Sequence, residues 1–146
     1  MPILNEITGS WYVQYTNFPM WLKGDKLYPQ FYYEVGTKRG KTVLVDTVKY
    51  IQQERERTIK GFDYPQNKEN TQFIWKNSGW FEILQSKWDI VYIADTQEWM
   101  AIHFSKTLFT PEGFDIITRK EVLDTALQQE IENWLNLFHL STINNE

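Results

Sequence analysis

Between Gly9 and Thr118 the chain is a series of short β-forming runs cut by tight breaks, and this spacing leaves few folds open. Phe31-Tyr32-Tyr33-Glu34-Val35 alternates, with Phe31, Tyr33 and Val35 on one face and Tyr32 and Glu34 on the other; Gly36 to Gly40 then supplies a turn. Thr42 to Tyr50 is rich in Val and Thr, and Arg55 to Tyr64 follows a polar link and ends at Pro65. Thr71 to Lys76, Trp80 to Leu84, Trp88 to Ala94, Glu98 to Ser105 and Gly113 to Thr118 continue the pattern. They are separated by Asn77-Ser78-Gly79, Gln85-Ser86-Lys87, Asp95-Thr96 and Thr110-Pro111-Glu112. Such a series predicts an antiparallel barrel or sandwich. With Gly9 to Tyr15 as the first strand, and Trp80 to Ala94 as one long strand bent near Ser86, the count is eight.

The two ends of this series carry more specific information. In Gly9-Ser10-Trp11-Tyr12-Val13-Gln14-Tyr15 the glycine permits a tight turn and close approach, and the indole two residues on points to one face, where it can plug a barrel. At the other end, Phe114-Asp115-Ile116-Ile117-Thr118-Arg119 is followed by a segment in which Leu127, Ile131, Trp134 and Phe138 recur at helical spacing. That segment predicts a helix over about 123–140, capped by Asp124 or Thr125, with an apolar stripe that must lie on something.

Gly-x-Trp at the first strand and Arg after the last strand resemble the lipocalin family, in which the arginine covers the tryptophan. Asp95-Thr96-Gln97-Glu98-Trp99 is a partial match to the family's second signature: Asp95 and Trp99 fit, whereas Ala94 and Thr96 stand in place of its Thr and Tyr. The resemblance covers Gly9 to about Leu140 and implies one domain over residues 1–146. Its fold would be an all-β, eight-stranded, antiparallel up-and-down barrel over about 9–119, with the C-terminal α-helix packed on its outside. Gly9, Trp11, Asp95 and Arg119 are the signature positions. The activity it implies is carriage or storage of a small hydrophobic ligand such as a fatty acid, a lysolipid, or a retinoid-like or tetrapyrrole molecule. It also implies an extracytoplasmic, bacterial type of carrier.

Composition narrows the classes of partner. The 146 residues have a formal charge of −4 and no block of Lys or Arg, which disfavours nucleic acid and anionic membranes as partners. No run of about 18 apolar residues is present, so no transmembrane segment is expected. Without cysteine there are no disulfides, thiolate nucleophiles or sulfur-based metal sites. As given, with no signal peptide, the chain reads as cytoplasmic, with a periplasmic or secreted protein lacking its signal as the alternative. Oligomeric state, monomer or dimer, is left open.

No catalytic signature is matched. His103 and His139 do not make a metal-binding cluster, and alternation turns His103 and Ala101 outward. Binding without a cofactor is therefore the leading expectation. A small isomerase or lyase on the same barrel and a fully packed interaction scaffold are the alternatives. An eight-stranded barrel is just wide enough for one small ligand. Counting from Trp11 turns Val13 and Tyr15 inward, and alternation adds Phe31, Tyr33, Phe73 and Trp75. The family resemblance at Gly61, Asp95 and Arg119 adds Ile59, Val91, Ile93, Met100, Ile102, Asp115 and Ile117. Asn17 to Lys26 reads as a long loop whose Phe18, Met20 and Trp21 fold over the barrel mouth or pack on its outer wall. Asp115 is the one inward carboxylate in this set; it is either exposed at the mouth, hydrogen-bonded, or paired with a ligand.

Overall fold

The computed structural model describes residues 4–77, 85–107, 111–137 and 143–144. Eight antiparallel strands follow one another around a closed barrel: β1 (Gly9–Thr16), β2 (Leu27–Lys38), β3 (Lys41–Gln52), β4 (Arg55–Pro65), β5 (Gln72–Asn77), β6 (Gln85–Ile93), β7 (Trp99–Phe104) and β8 (Gly113–Thr118). β1 closes it, pairing with β2 over Gly9 to Tyr12 and with β8 over Tyr12 to Thr16. Where β1 leaves β2, a two-residue strand β9 (Ile143–Asn144) takes the vacated edge beside Tyr15 and Thr16, so the backbone groups there are not left open. A 3₁₀ turn (Leu4–Ile7) precedes β1; α1 (Pro19–Leu22) joins β1 to β2, and α2 (Thr125–Leu137) follows β8.

Local chemistry sets the long hairpins. Arg39 and Gly40 have φ of 51° and 78°, and Gln53 and Glu54 have φ of 52° and 64°, the paired positive values of two-residue turns whose twist matches the strands they join. The β3–β4 turn adopts this conformation without a glycine. The twelve residues of β3 and eleven of β4 pair continuously over Leu44 to Gln52 and hold it there.

Two apolar clusters lie on opposite sides of the wall. The inner one gathers Trp11, Val13, Trp21, Phe31, Tyr33, Phe73, Trp88, Met100, Ile102 and Ile117. The outer one joins Tyr15, Trp99, Ala101 and Ile116 to Leu127, Ile131 and Leu135 of α2. The helix thus packs outside the barrel, as the sequence predicts. Its first turn is capped by Asp124, whose Oδ1 accepts the Leu127 N–H at 2.8 Å.

Four expectations need correction. Tyr15 does not face the interior: a bulge between Val13 and Tyr15 adds a residue to β1 and reverses the alternation beyond it, so Thr16 turns in and Tyr15 turns out. Val91 is the extra residue of a second bulge, between Ile90 and Tyr92, and is 43% exposed. Gln85-Ser86-Lys87, read as a break, is the start of β6, where pairing with Trp75 and Lys76 overrides its polar composition. Asn17 to Lys26 is not wholly loop, because Pro19 opens the short helix α1. The expected strand Trp80 to Leu84 and the helix end Phe138 to Leu140 lie outside the described residues.

Candidate functional site

One end of the barrel is sealed by Trp11 and Arg119. Trp11 is fully buried and its Nε1 donates to the Ile7 carbonyl at 2.9 Å. The Arg119 guanidinium lies 3.7 Å from the Trp11 ring centroid, while Nη1 donates to Ser10 O and Nη2 to Glu6 O. One cation thus covers an aromatic face and satisfies two carbonyls of the entering chain. Gly9, at φ 95°, is required here, since a Cβ would lie 3.1 Å from Arg119 Nη1. Asp95 is exposed in the β6–β7 turn, beside which the Arg119 N–H donates to Glu98 O.

At the other end α1 turns Trp21 into the barrel and leaves Leu22 exposed. Trp21 is 4% exposed and packs against Phe31 and Tyr50 at ring distances of 6.4 and 6.0 Å. Phe18 meets Phe104 at 5.1 Å, and Met20 adds to the inner cluster from its rim. Beneath this roof Asp115 is fully buried, which overturns the reading of it as an exposed mouth residue. Thr16 Oγ1 donates to Asp115 Oδ1 at 2.5 Å and Trp21 Nε1 donates to Oδ2 at 3.3 Å. Burial pushes its pKa up to about 7, although both hydrogen bonds oppose the rise.

A second polar group lies on the β3–β4 wall. Asp46 and Asp63 are 5% and 0% exposed and in hydrogen-bond contact with each other. Trp88 Nε1 donates to Asp63 Oδ1 at 2.9 Å, whereas Asp46 Oδ1 and Asp63 Oδ2 receive no donor. Burial raises both carboxyl pKa values, and the repulsion of Asp46 raises that of Asp63 further. Tyr33 lies opposite Asp46 in the β2–β3 register; burial first, then Asp46, Asp63 and Asp115, drive its phenol well above its ordinary value. Its ring lies 5.9 Å from Trp88, nearly parallel, and Trp88 stacks on Phe73 at 4.5 Å.

The interior therefore brings together Trp21, Phe31, Tyr33, Phe73, Met100, Ile102 and Asp115, with Met20 and Trp75 partly buried against them. Ile59 is half-buried opposite Val48. Gly61 marks a close approach, since a Cβ there would come within 2.3 Å of Trp75 Nε1. Sequence reasoning missed Asp46, Asp63, Tyr50, Thr16 and Trp88. The first three follow from simple alternation, Asp63 sharing the parity of Ile59 and Gly61, and Asp46 and Tyr50 that of Leu44 and Val48. Thr16 and Trp88 are masked by the two bulges.

His103 faces outward, its Nδ1 2.9 Å from Asp89 and Nε2 3.0 Å from Glu112, with its ring against Phe114. Burial opposes its charge, but the two carboxylates outweigh that and raise its pKa. Among the described residues no group of three or more His, Cys, Asp or Glu is placed to hold a metal ion, and no helix is long and apolar enough to cross a membrane. A separate hollow of about 350 Å³ lies on the outer wall among Tyr12, Gln14, Tyr28, Pro29 and Val122.

The barrel, the outer helix and the Trp11–Arg119 seal together define a lipocalin fold, and solved structures agree. Lobster apocrustacyanin A1 is 15% identical, with a TM-score of 0.66 over 97% of this chain and 77% of that one. Apocrustacyanin C2 is also 15% identical, with a TM-score of 0.67 over the same shares. The siderocalin Ex-FABP, which functions through dual ligand specificities, is 10% identical, with a TM-score of 0.66 over 93% of this chain and 89% of that one. No protein-family model and no curated protein matches the sequence. At such identities the likeness establishes the fold.

Proposed function

We propose that the protein binds one small, predominantly apolar ligand inside the barrel, with an elongated chain of the fatty-acyl or lysolipid kind as the simplest body that fits. The observation that carries this reading is the inward aromatic wall of Phe31, Tyr33, Phe73, Trp75 and Trp88, sealed below by Trp11 and Arg119 and roofed by Trp21. Aromatic side chains with a few fixed polar groups are the usual lining of a small-molecule site. That a solved neighbour works through dual ligand specificities supports ligand binding as a use of the fold. The roof makes entry depend on α1, which is only four residues long. Its removal from the mouth would break few backbone hydrogen bonds.

Titration with n-alkyl probes of increasing length, followed by tryptophan fluorescence, tests this. Saturable binding that tightens with chain length, by up to ~0.8 kcal/mol per buried CH₂, and that quenches Trp21, Trp75 or Trp88 is expected. Trp75→Ala should weaken it. Absence of saturable binding below roughly 100 μM, about −5.5 kcal/mol, would leave the aromatic stack as the packing of a closed scaffold.

A further inference from the structure

Among the described residues the inner wall holds three buried acids and no base. Asp46, Asp63 and Asp115 are the buried charged residues described, while none of the fifteen Lys and Arg side chains is buried. Asp115 has two donors of its own. The Asp46–Asp63 pair has one, from Trp88, and keeps two buried oxygens without a donor. In register with this pair, Gly61 lies between Asp46 on β3 and Asn77 on β5, and the buried Asn77 Oδ1 is also without a partner. The two carboxylate oxygens accept and do not donate, with Tyr33, Trp75 and Trp88 around them, and the Trp75 indole over Gly61 stands between them and Asn77. Buried acceptors left unmade cost stability. Carboxylates beside aromatic rings are the chemistry that recognises an ammonium group.

We infer that the interior site selects an apolar ligand carrying a protonated amine, whose N–H donors fill the vacant acceptors of Asp46 and Asp63. This rests on the barrel-binding reading above and names the head group it left open. In the empty protein burial and the repulsion between the two carboxyls favour a proton on the pair, which offsets charge and leaves Asp46 Oδ1 and Asp63 Oδ2 without a donor. The ligand ammonium takes the place of that proton, so binding an already protonated amine releases a proton to solvent. The titratable group facing the pair is Tyr33 from β2, on which Asp115 from β8 also acts. β5 and β6 present Trp75, Asn77 and Trp88, which do not titrate. A carboxylate ligand would bring a fourth acid into this space, and an alcohol would supply one donor and no charge.

Decylamine, decanol and decanoate, equal in apolar body, provide the test. Decylamine is expected to bind at least about tenfold more tightly than decanol, and decanoate the most weakly. Decylamine affinity should rise from pH 5 to pH 8, with proton release seen as a buffer-dependent heat. Asp46→Asn and Asp63→Asn, checked for folding by circular dichroism, should bring amine and alcohol to similar affinity. Glu34→Gln, which removes an exposed charge on the outer wall, should retain the parent's preference. The comparison of head groups on the parent protein stands even where a variant fails to fold. If decanol or decanoate matches decylamine, or decylamine affinity is indifferent to pH, the head-group assignment is overturned while barrel binding stands. If none of the three binds, both fall.

Discussion

Arg119 shows how much one side chain can carry when its charge, plane and donors are all used. Its burial lowers its pKa, yet an arginine keeps its charge under such pressure, and the ring of Trp11 with the carbonyls of Ser10 and Glu6 replaces lost water. Arg119→Ala should lower stability by ~1–3 kcal/mol through lost packing and two unpaired carbonyls, measured by denaturant melting, with probe affinity little changed. An equal midpoint for variant and parent would refute it. Asp115 supplies a prediction with the opposite kind of charge. Its folded pKa of about 7 lies above the usual 3.8, so between these values the folded state holds a proton that the unfolded chain has released. Its contribution to stability therefore falls as pH rises from about 4 to about 7. Asp115→Asn, whose oxygen can accept from Trp21 Nε1 while its amide N–H donates to Thr16 Oγ1, should gain on the parent as pH is raised from 5 to 8; a melting difference that is flat across this range would contradict the assignment. The Trp11–Arg119 contact was legible in the sequence through the resemblance to the lipocalin family, whose two signature residues stand at the ends of the strand series. The burial of Asp115 was not, since it depends on where Trp21 and Thr16 place their donors.

At the level of elements, alternation gives the correct face wherever a strand is regular and fails just past each bulge. Phe31, Tyr33, Phe73, Met100 and Ile102 are inward as their spacing predicts, while Tyr15 and Val91 lie at the two register shifts. A bulge is a one-residue insertion decided by pairing across the sheet, and a single strand carries no clear mark of it. Its consequence here is architectural: on β1 it sends Tyr15 out to Glu132 of α2 while bringing Thr16 in to Asp115. On β6 it sends Tyr92 out to Trp99 and Trp134. The bulges thus supply part of the surface on which α2 rests. Ile131 is fully buried there. Ile131→Ala should cost ~2–5 kcal/mol, and its thermal midpoint should fall while alkyl-probe affinity holds. Loss of binding at an unchanged midpoint would instead place α2 within the site. Gly61→Ala should lower both the midpoint and probe binding, since its Cβ would meet the Trp75 indole and the Lys76 carbonyl oxygen of β5.

For the molecule as a whole, a closed wall with one apolar cluster inside and another outside separates two jobs. The outer cluster with α2 and the Trp11–Arg119 seal hold the barrel shut; the inner wall, with its acids and its roof of α1, is the proposed ligand site. Regular strand spacing left an antiparallel barrel or a sandwich, and the resemblance at Gly9, Trp11 and Arg119 decided for the barrel. The acid pair was not read because Asp46 and Asp63 belong to different strands and become a pair only through the β3–β4 register. Indole N–H resonances distinguish the two regions directly. Trp21 and Trp88 donate to Asp115 and Asp63 inside, whereas Trp11 donates to Ile7 O at the seal and Trp99 to Glu130 on the outer side. In a ¹H–¹⁵N spectrum recorded through a decylamine titration, the Trp21 and Trp88 indole signals should shift with a common saturation curve while those of Trp11 and Trp99 stay in place. Saturable binding that moves Trp99 and leaves Trp88 unmoved would put the ligand under the helix and contradict an interior site.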